Sequence, residues 1–305
     1  MAEADEAEHS AATAALALLR AGRLQAPALV TLLRDLAGQM PLAHIDGAAV
    51  LAAAGLARAA VNASMAAAER DLGLARGHGI RAMALCSPRF PPALQRLADA
   101  PPLLFLRGNP DRLQPSRTVA LVGTRRATGN GQAIAGRLAG FLIDNGWTVL
   151  SGLNPGIDAA VQAAAWERRH AAVAVVSQGL DRLRPRAMAE SAAQLLDHGG
   201  VLVSEQVPGA PADADSLANS HRLQVALSLA SVIVEGGRHG ASAPHADHCQ
   251  SQAHGLFAVV PEGVSTQREL PRYLVAERGA QAIASRDDYP ALLARLEDLS
   301  ASQAE

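Results

Sequence analysis

From Arg117 onward the chain alternates seven short apolar runs with segments of helical length and period: TVALV at 118, WTVLS at 147, AVAVVS at 172, VLVSE at 201, SVIVE at 231, LFAVV at 256 and QAIAS at 281. Strands that stay apolar without alternating are buried on both faces, and helices set between them make βαβ crossovers. The pattern predicts an α/β fold, a doubly wound, mostly parallel, Rossmann-like sheet with ligand sites beyond the carboxyl ends of its strands. Residues 10–76 read differently, as short Ala- and Leu-rich helices broken at Gly22, Pro27, Gly38 to Pro41, Gly47 and Gly55. They predict a small N-terminal helical domain over 1–78. A proline-punctuated connector over 79–116 follows, then the Rossmann-like domain over 117–298 and a disordered tail over 299–305.

Composition narrows the functions open to such a sheet. The chain has 305 residues, 49% hydrophobic but only 3% aromatic, so its core is Ala, Leu and Val and it has few rings on which bases could stack. Cys86 and Cys249 are too few for a disulfide framework and point to a reducing compartment. The acidic start MAEADEAEHS, and Arg58 interrupting the alanine-rich run at 48–60, give the expectation of a cytoplasmic protein without a membrane span. Lysine is absent from the whole chain. That excludes a P-loop, which needs its lysine on the β/γ-phosphates, and Schiff-base chemistry, which needs an amine. A net charge of −2 argues against a nucleic-acid partner, yet between Arg117 and Arg186 nine arginines face only Asp144, Asp158, Glu167 and Asp181. The expected partner surface is therefore locally basic.

Three strand-to-helix loops carry the candidate chemistry. The first, in TVALVGTRRATGNG, holds Gly123, Thr124, Arg125, Arg126, Gly129 and Gly131: glycines that let backbone approach an anion, two guanidiniums, and a following helix N-terminus. Its glycines do not form G-x-G-x-x-G, and the second strand ends in Ser151 and Gly152 where a ribose-binding acid would stand, which disfavours a dinucleotide. The second loop, SGLNPGID, offers Gly152, Gly156 and Asp158, the last placed either to cap the next helix or to orient Arg125. In the third, EGGRHGASAPHADH, Ser242 reads as an N-cap with Pro244 just inside the helix. His239, His245, His248, Cys249 and His254 cluster there, but no second ligand pair completes a tetrahedral metal set. No G-x-S-x-G elbow is present; Glu235 and Asp247 are the candidate acid and base of a hydrolase of nucleotide-like substrates.

In order and spacing, these segments resemble the DNA-processing protein A (DprA/Smf) family. The resemblance runs from about Gly79 to Ala284 through GIRAMALCSPRFPPALQRLADAPPLLFLRGNP, VALVGTRRATGNG, SGLNPGIDAAVQAAAW, QGLDRLRP, VLVSEQVPG, the Arg222 helix, VIVEGGRHGAS and FAVVPEG. It implies a homodimer that binds single-stranded DNA without catalysis or cofactor and loads a RecA-type recombinase during natural transformation. DNA or phosphate would be held by Gly123, Thr124, Arg125, Arg126, Gly129, Gly131, Ser151, Gly152, Gly156, Asp158, Arg222, Gly240 and Ser242. The chain departs from the family pattern at ligand-facing positions: Gln162 replaces a histidine, and Ser220 and His221 replace the first two residues of an RNR triplet. His239, Gly240 and Ala241 replace an SGS turn, Pro244 a threonine, and Pro271 and Tyr273 a glycine and an asparagine. With LEDLSASQAE ending the sequence, a C-terminal winged helix is not expected. Two other functions stay open. One is an enzyme or sensor for a free nucleotide derivative, phosphoribohydrolase-like, although the PGGxGTxxE motif is missing; the other is a degenerate paralogue serving as a scaffold.

Overall fold

The computed structural model describes residues 2–21, 26–39, 55, 57–252, 254–262 and 266–302. They form two compact units, the first from Met1–Arg107, Gln178–Arg182 and Val203–Pro211, the second from Gly108–Ser177, Leu183–Leu202 and Ala212–Glu305.

In the first unit, helices α1 (Ala2–Ala21), α2 (Ala26–Gln39) and α3 (Arg58–Gly77) accompany strands β1 (Ile80–Ala84) and β2 (Leu103–Gly108). Alanines at helical spacing let α1 pack closely: Ala7, Ala11, Ala14, Ala15 and Leu18 are buried, and α3 presents Val61, Ala68, Leu72 and Ala75. Thr13 of α1 donates to the Glu69 carboxylate of α3 at 3.2 Å. The helices are longer than the breaks in the sequence suggest. Gly38 lies inside α2 and Pro27 in its first turn, where a missing N–H costs nothing; Gly22, Pro41 and Gly47 lie outside the described residues. The segment expected as a connector folds into an antiparallel pair, Ile80 opposite Arg107 and Ala84 opposite Leu103, with a helical turn at Pro92–Gln95 between its strands.

The second unit carries the predicted sheet. All seven apolar runs form strands: β3 (Thr118–Val122), β4 (Thr148–Ser151), β5 (Val173–Val175), β6 (Val201–Ser204), β7 (Ala230–Ile233), β8 (Gly255–Val259) and β9 (Gln281–Ile283). Their order is β6-β5-β4-β3-β7-β8-β9, with parallel pairing from β5 through β9. Every residue of β3, β5 and β7 is buried, the reason their sequences do not alternate. Between the strands lie α4 (Gly129–Asp144), α5 (Ile157–Glu167), α6 (Arg186–Asp197), α7 (Ala214–Ala226), α8 (Ala243–Ser251) and α9 (Glu269–Glu277), and α10 (Tyr289–Ser302) closes the unit. Residues 299–302, expected as disordered tail, belong to α10, which buries Leu292 and Leu296. After β3 the chain winds outward through β4, β5 and β6, then returns to place β7 on the other side of β3. The loops after β3 and β7 therefore diverge at a topological switch point.

Trp147 leads into β4 with no exposed surface, and the Arg117 guanidinium lies 4.3 Å from its ring. Trp147→Ala is expected to lower unfolding free energy by about 3–5 kcal/mol, read from the urea midpoint; a loss below about 1 kcal/mol would remove Trp147 from the core.

Candidate nucleic-acid interface

The switch point is held together by a carboxylate. Glu235, one residue beyond the buried Val234 that follows β7, is 2% exposed, and its carboxylate accepts from the Thr128 backbone N–H at 2.9 Å and the Thr128 hydroxyl at 2.7 Å. Thr128 is the N-cap of α4, its Oγ1 accepting from Gly131 N at 2.9 Å. An anion on the first turn of a helix satisfies donors that lack intrahelical partners and faces the positive end of the macrodipole. The α4 N-terminus expected to cradle a ligand phosphate thus already holds the protein's own anion. A Cβ on Gly131 would stand 2.3 Å from the Glu235 carboxylate, so glycine here admits the acid.

The same economy runs through the other loops. Thr124 N donates to Glu235 O at 2.8 Å, and Ile157 N donates to Thr124 O at 3.3 Å, so the loops after β3, β4 and β7 are joined by backbone bonds. Gly156, with φ of 86°, has Thr124 O 2.3 Å from where a Cβ would stand. Gly123 packs against Ile157, and Gly152 against Asp158. Asp158 does not cap α5, whose N-cap Gly156 makes no side-chain bond. Instead its carboxylate accepts from the Ser151 hydroxyl at 3.0 Å, from Asn154 N at 3.3 Å and from the Asn154 amide at 3.0 Å, fastening the loop after β4. Burial pushes the Asp158 carboxyl above its ordinary range, opposed by the Asn154 and Ser151 bonds and by the Arg125 charge. Ser242 precedes α8 but its hydroxyl makes no cap bond, because its backbone is already helical at φ −88° and ψ −8°. Gly240 closes a turn onto Gly237 O at 2.9 Å.

What remains open to solvent is Arg125, Arg126 and Gly129, all exposed. Arg126 N is turned by the Thr124 hydroxyl at 3.2 Å. Neither guanidinium makes an ion pair among the described residues. Elsewhere in the arginine-rich segment Arg117 pairs with Glu297, Arg168 with Asp144, Arg182 with Asp181 and Arg186 with Glu190, so the basic surface is smaller than the arginine count implies. Arg222 is 5% exposed within α7. Its neighbour His221, at 7% exposed, is held neutral mainly by burial, opposed by bonds to Ala241 O and the Gln224 side chain and reinforced by the nearby His248 and Arg125.

The histidines behind this edge form a buried network. The His245 ring stands edge-on to His221 with centroids 5.4 Å apart, its Nε2 lies 2.8 Å from Ser231 Oγ, and Ser231 Oγ lies 3.0 Å from His254 Nε2. His245 and Cys249 share a buried face of α8. Burial pushes the Cys249 thiol up to about 12, unsuited to metal binding, and no cluster among the described residues is placed to hold a metal ion. Glu235 has its carboxylate engaged internally, and Asp247 receives Arg278 at 2.9 Å on the exposed face of α8, so the proposed acid and base of a hydrolase are committed elsewhere. Sequence reading missed Thr128 and undervalued Glu235 and His221. A threonine three residues ahead of Gly131 and a lone acid ending an apolar strand were the available signals.

Known proteins share this fold. The family model described as DNA recombination-mediator protein A matches residues 81–294. A Bacillus subtilis DNA processing protein DprA is 28% identical over 219 residues, 72% of this chain and 73% of that protein. The Escherichia coli protein Smf is 31% identical over 188 residues, 62% of this chain and half of the relative's length. Among solved structures, DprA of Streptococcus pneumoniae superposes with a TM-score of 0.65 at 20% identity, covering 95% of both chains. Helicobacter pylori DprA, described for its single-stranded DNA binding mode, gives 0.62 at 23% identity over 71% of this chain and 96% of that one. No described helix is long and apolar enough to cross a membrane.

Two outcomes test the site's internal chemistry. Glu235→Ala should destabilise the second unit by about 2–4 kcal/mol, the loss of charge-assisted bonds and a helix-end anion. Added phosphate should then raise the variant's melting temperature more than the wild type's by filling the vacated helix end; equal shifts would refute the lock. The second concerns acid. Burial lowers the pKa of His221 and of His254 to about 4 and that of His245 well below 6.5, so the folded state holds all three neutral. Below pH 6.5 the unfolded chain takes up protons that the folded chain refuses. Stability is therefore complete above pH 6.5 and falls as the pH drops toward 4, by about 1.4 kcal/mol per unit for each histidine that titrates only on unfolding. Urea midpoints measured from pH 7 to 4.5 should flatten in His254→Asn; an unchanged slope would contradict this. The chain belongs to the DNA recombination-mediator protein A family.

Proposed function

We propose that this protein binds single-stranded DNA along the loop edge at the β3/β7 switch point, without catalysis, and acts in the cytoplasm as a homodimeric recombination mediator that delivers strand to a RecA-type recombinase. The observation carrying the reading is the pair of exposed, unpaired guanidiniums of Arg125 and Arg126 on a loop fixed from three sides by Glu235, Ile157 and Gly156. Family membership and the single-stranded DNA binding described for the Helicobacter pylori relative support it.

The mechanism follows from which donors remain available. With the α4 N-terminus occupied by Glu235, phosphates meet side-chain guanidiniums and the loop backbone around Arg125 and Arg126. Guanidiniums hold phosphate through charge-assisted, bidentate bonds whose strength ignores base identity. Only 3% of the residues are aromatic, so stacking adds little sequence preference. Asp158 lies within electrostatic reach of Arg125 without a direct ion pair. Internal commitment of Glu235 and Asp247 argues against the nucleotide-hydrolase alternative.

Fluorescence anisotropy with an oligo-dT strand tests the proposal. Affinity should fall with salt, by about 0.7 log units per log unit of salt for each phosphate neutralised. Arg125→Ala with Arg126→Ala should weaken binding at low salt by at least about tenfold and reduce the slope by about 1.4. Absence of binding by the wild-type chain, or an unchanged slope in the double variant, would sink it.

A further inference from the structure

A cavity opens within the second unit, on a face of α4. It measures about 230 Å³ and is lined by Ile134 and Arg137 of α4, Val259 of β8, Ile283 of β9, Arg286, and Tyr289 at the start of α10. Its floor is apolar. Two guanidiniums stand in its wall, and neither Arg137 nor Arg286 has an ion pair or side-chain hydrogen bond among the described residues. Tyr289 is 8% exposed, with its ring against Phe141 at a centroid distance of 5.0 Å. Its hydroxyl likewise has no hydrogen-bond partner among the described residues, while both guanidiniums act on it electrostatically. Asp288, two residues from Arg286, does not neutralise this charge: its carboxylate accepts from Ala284 N at 2.8 Å and Ser285 N at 2.9 Å.

Two exposed guanidiniums, a tyrosine hydroxyl and an apolar floor brought to one concave site are the combination a phosphate joined to a flat apolar group can use together. We propose that this cavity is a nucleotide subsite, holding one phosphate between Arg137 and Arg286 and the attached base against Ile134, Val259 and Ile283. Tyr289 Oη supplies a directional hydrogen bond. The volume lies below the roughly 300–1,000 Å³ of drug-sized pockets, so the site takes part of a single nucleotide and excludes a dinucleotide. The chemistry is the same for a free nucleoside monophosphate and for one residue of a strand. This inference does not depend on strand binding at Arg125.

Calorimetric titration of the full chain with thymidine monophosphate and, separately, with oligo-dT distinguishes the two sources. Arg137→Gln and Arg286→Gln should each weaken a bound probe by about tenfold, as expected for loss of a charge-assisted bond, and Tyr289→Phe by a few-fold. Arg186→Gln, an exposed arginine paired with Glu190 away from both sites, should leave monophosphate affinity unchanged. Thermal melting confirms that each variant is folded, and Arg286→Lys should restore part of the loss. Dependence of the monophosphate on Arg137 and Arg286 supports a free-nucleotide site, and dependence of oligo-dT alone supports a strand subsite. Independence of both probes from these residues overturns the proposal, as does inorganic phosphate binding as tightly as the nucleotide. If oligo-dT binds through Arg125 but not through Arg137 or Arg286, the subsite fails while the strand-binding function stands.

Discussion

Everything at the functional edge depends on one buried carboxylate meeting the first turn of α4. Glu235 joins the end of β7 to the cap of the helix that follows β3, the two strands whose connections diverge. A charge buried to 2% exposure is tolerable only where donors surround it, and the Thr128 backbone N–H and hydroxyl at the cap of α4 supply them without a cation. Arginine beside Glu235 would have neutralised it, and with it the exposed charge of the loop. Using backbone donors leaves Arg125 and Arg126 free to face outward. The rigidity of the loop and the availability of its guanidiniums thus have one origin.

The sheet was legible because its physics is written locally. A strand buried on both faces must be apolar at consecutive positions, and TVALV, VLVS and ASVI are. The hairpin of β1 and β2 was harder to read: IRAMA has a broken burial pattern, and prolines crowd the segment between the two strands. The site was legible only in outline. Sequence shows that Gly131, Gly152 and Gly156 need space; it cannot show which atom fills it. A ligand phosphate was the natural candidate, and the occupants are Glu235, Asp158 and Thr124. Charge behaves alike: nine arginines can be counted, but the pairing of four of them with Glu297, Asp144, Asp181 and Glu190 appears only in three dimensions.

His221 shows how a departure from a family pattern gains meaning from its surroundings. On α7 it could have been a surface change. Instead its ring is buried against His245, and the chain continues through Ser231 to His254. A buried asparagine would have demanded donors and acceptors on both sides of its amide. A neutral imidazole, flat and aromatic, can instead pack edge-on against a second ring.

Pairing, more than composition, decides what this surface can attract. Arg117, Arg168 and Arg186 spend their charge on neighbouring acids, and screened surface pairs project little field beyond a Debye length. Four guanidiniums without an ion pair among the described residues lie around α4: Arg125 and Arg126 on the loop entering it, Arg137 on its third turn, and Arg286 in the lining of the cavity that Arg137 also lines. A near-neutral protein can therefore present a locally basic edge, because Arg117, Arg168, Arg182 and Arg186 of the same segment are paired with acids away from it. The loop that leads into α4 and the helix itself carry both features, and Glu235 on the helix cap places an internal anion where a ligand phosphate would otherwise sit.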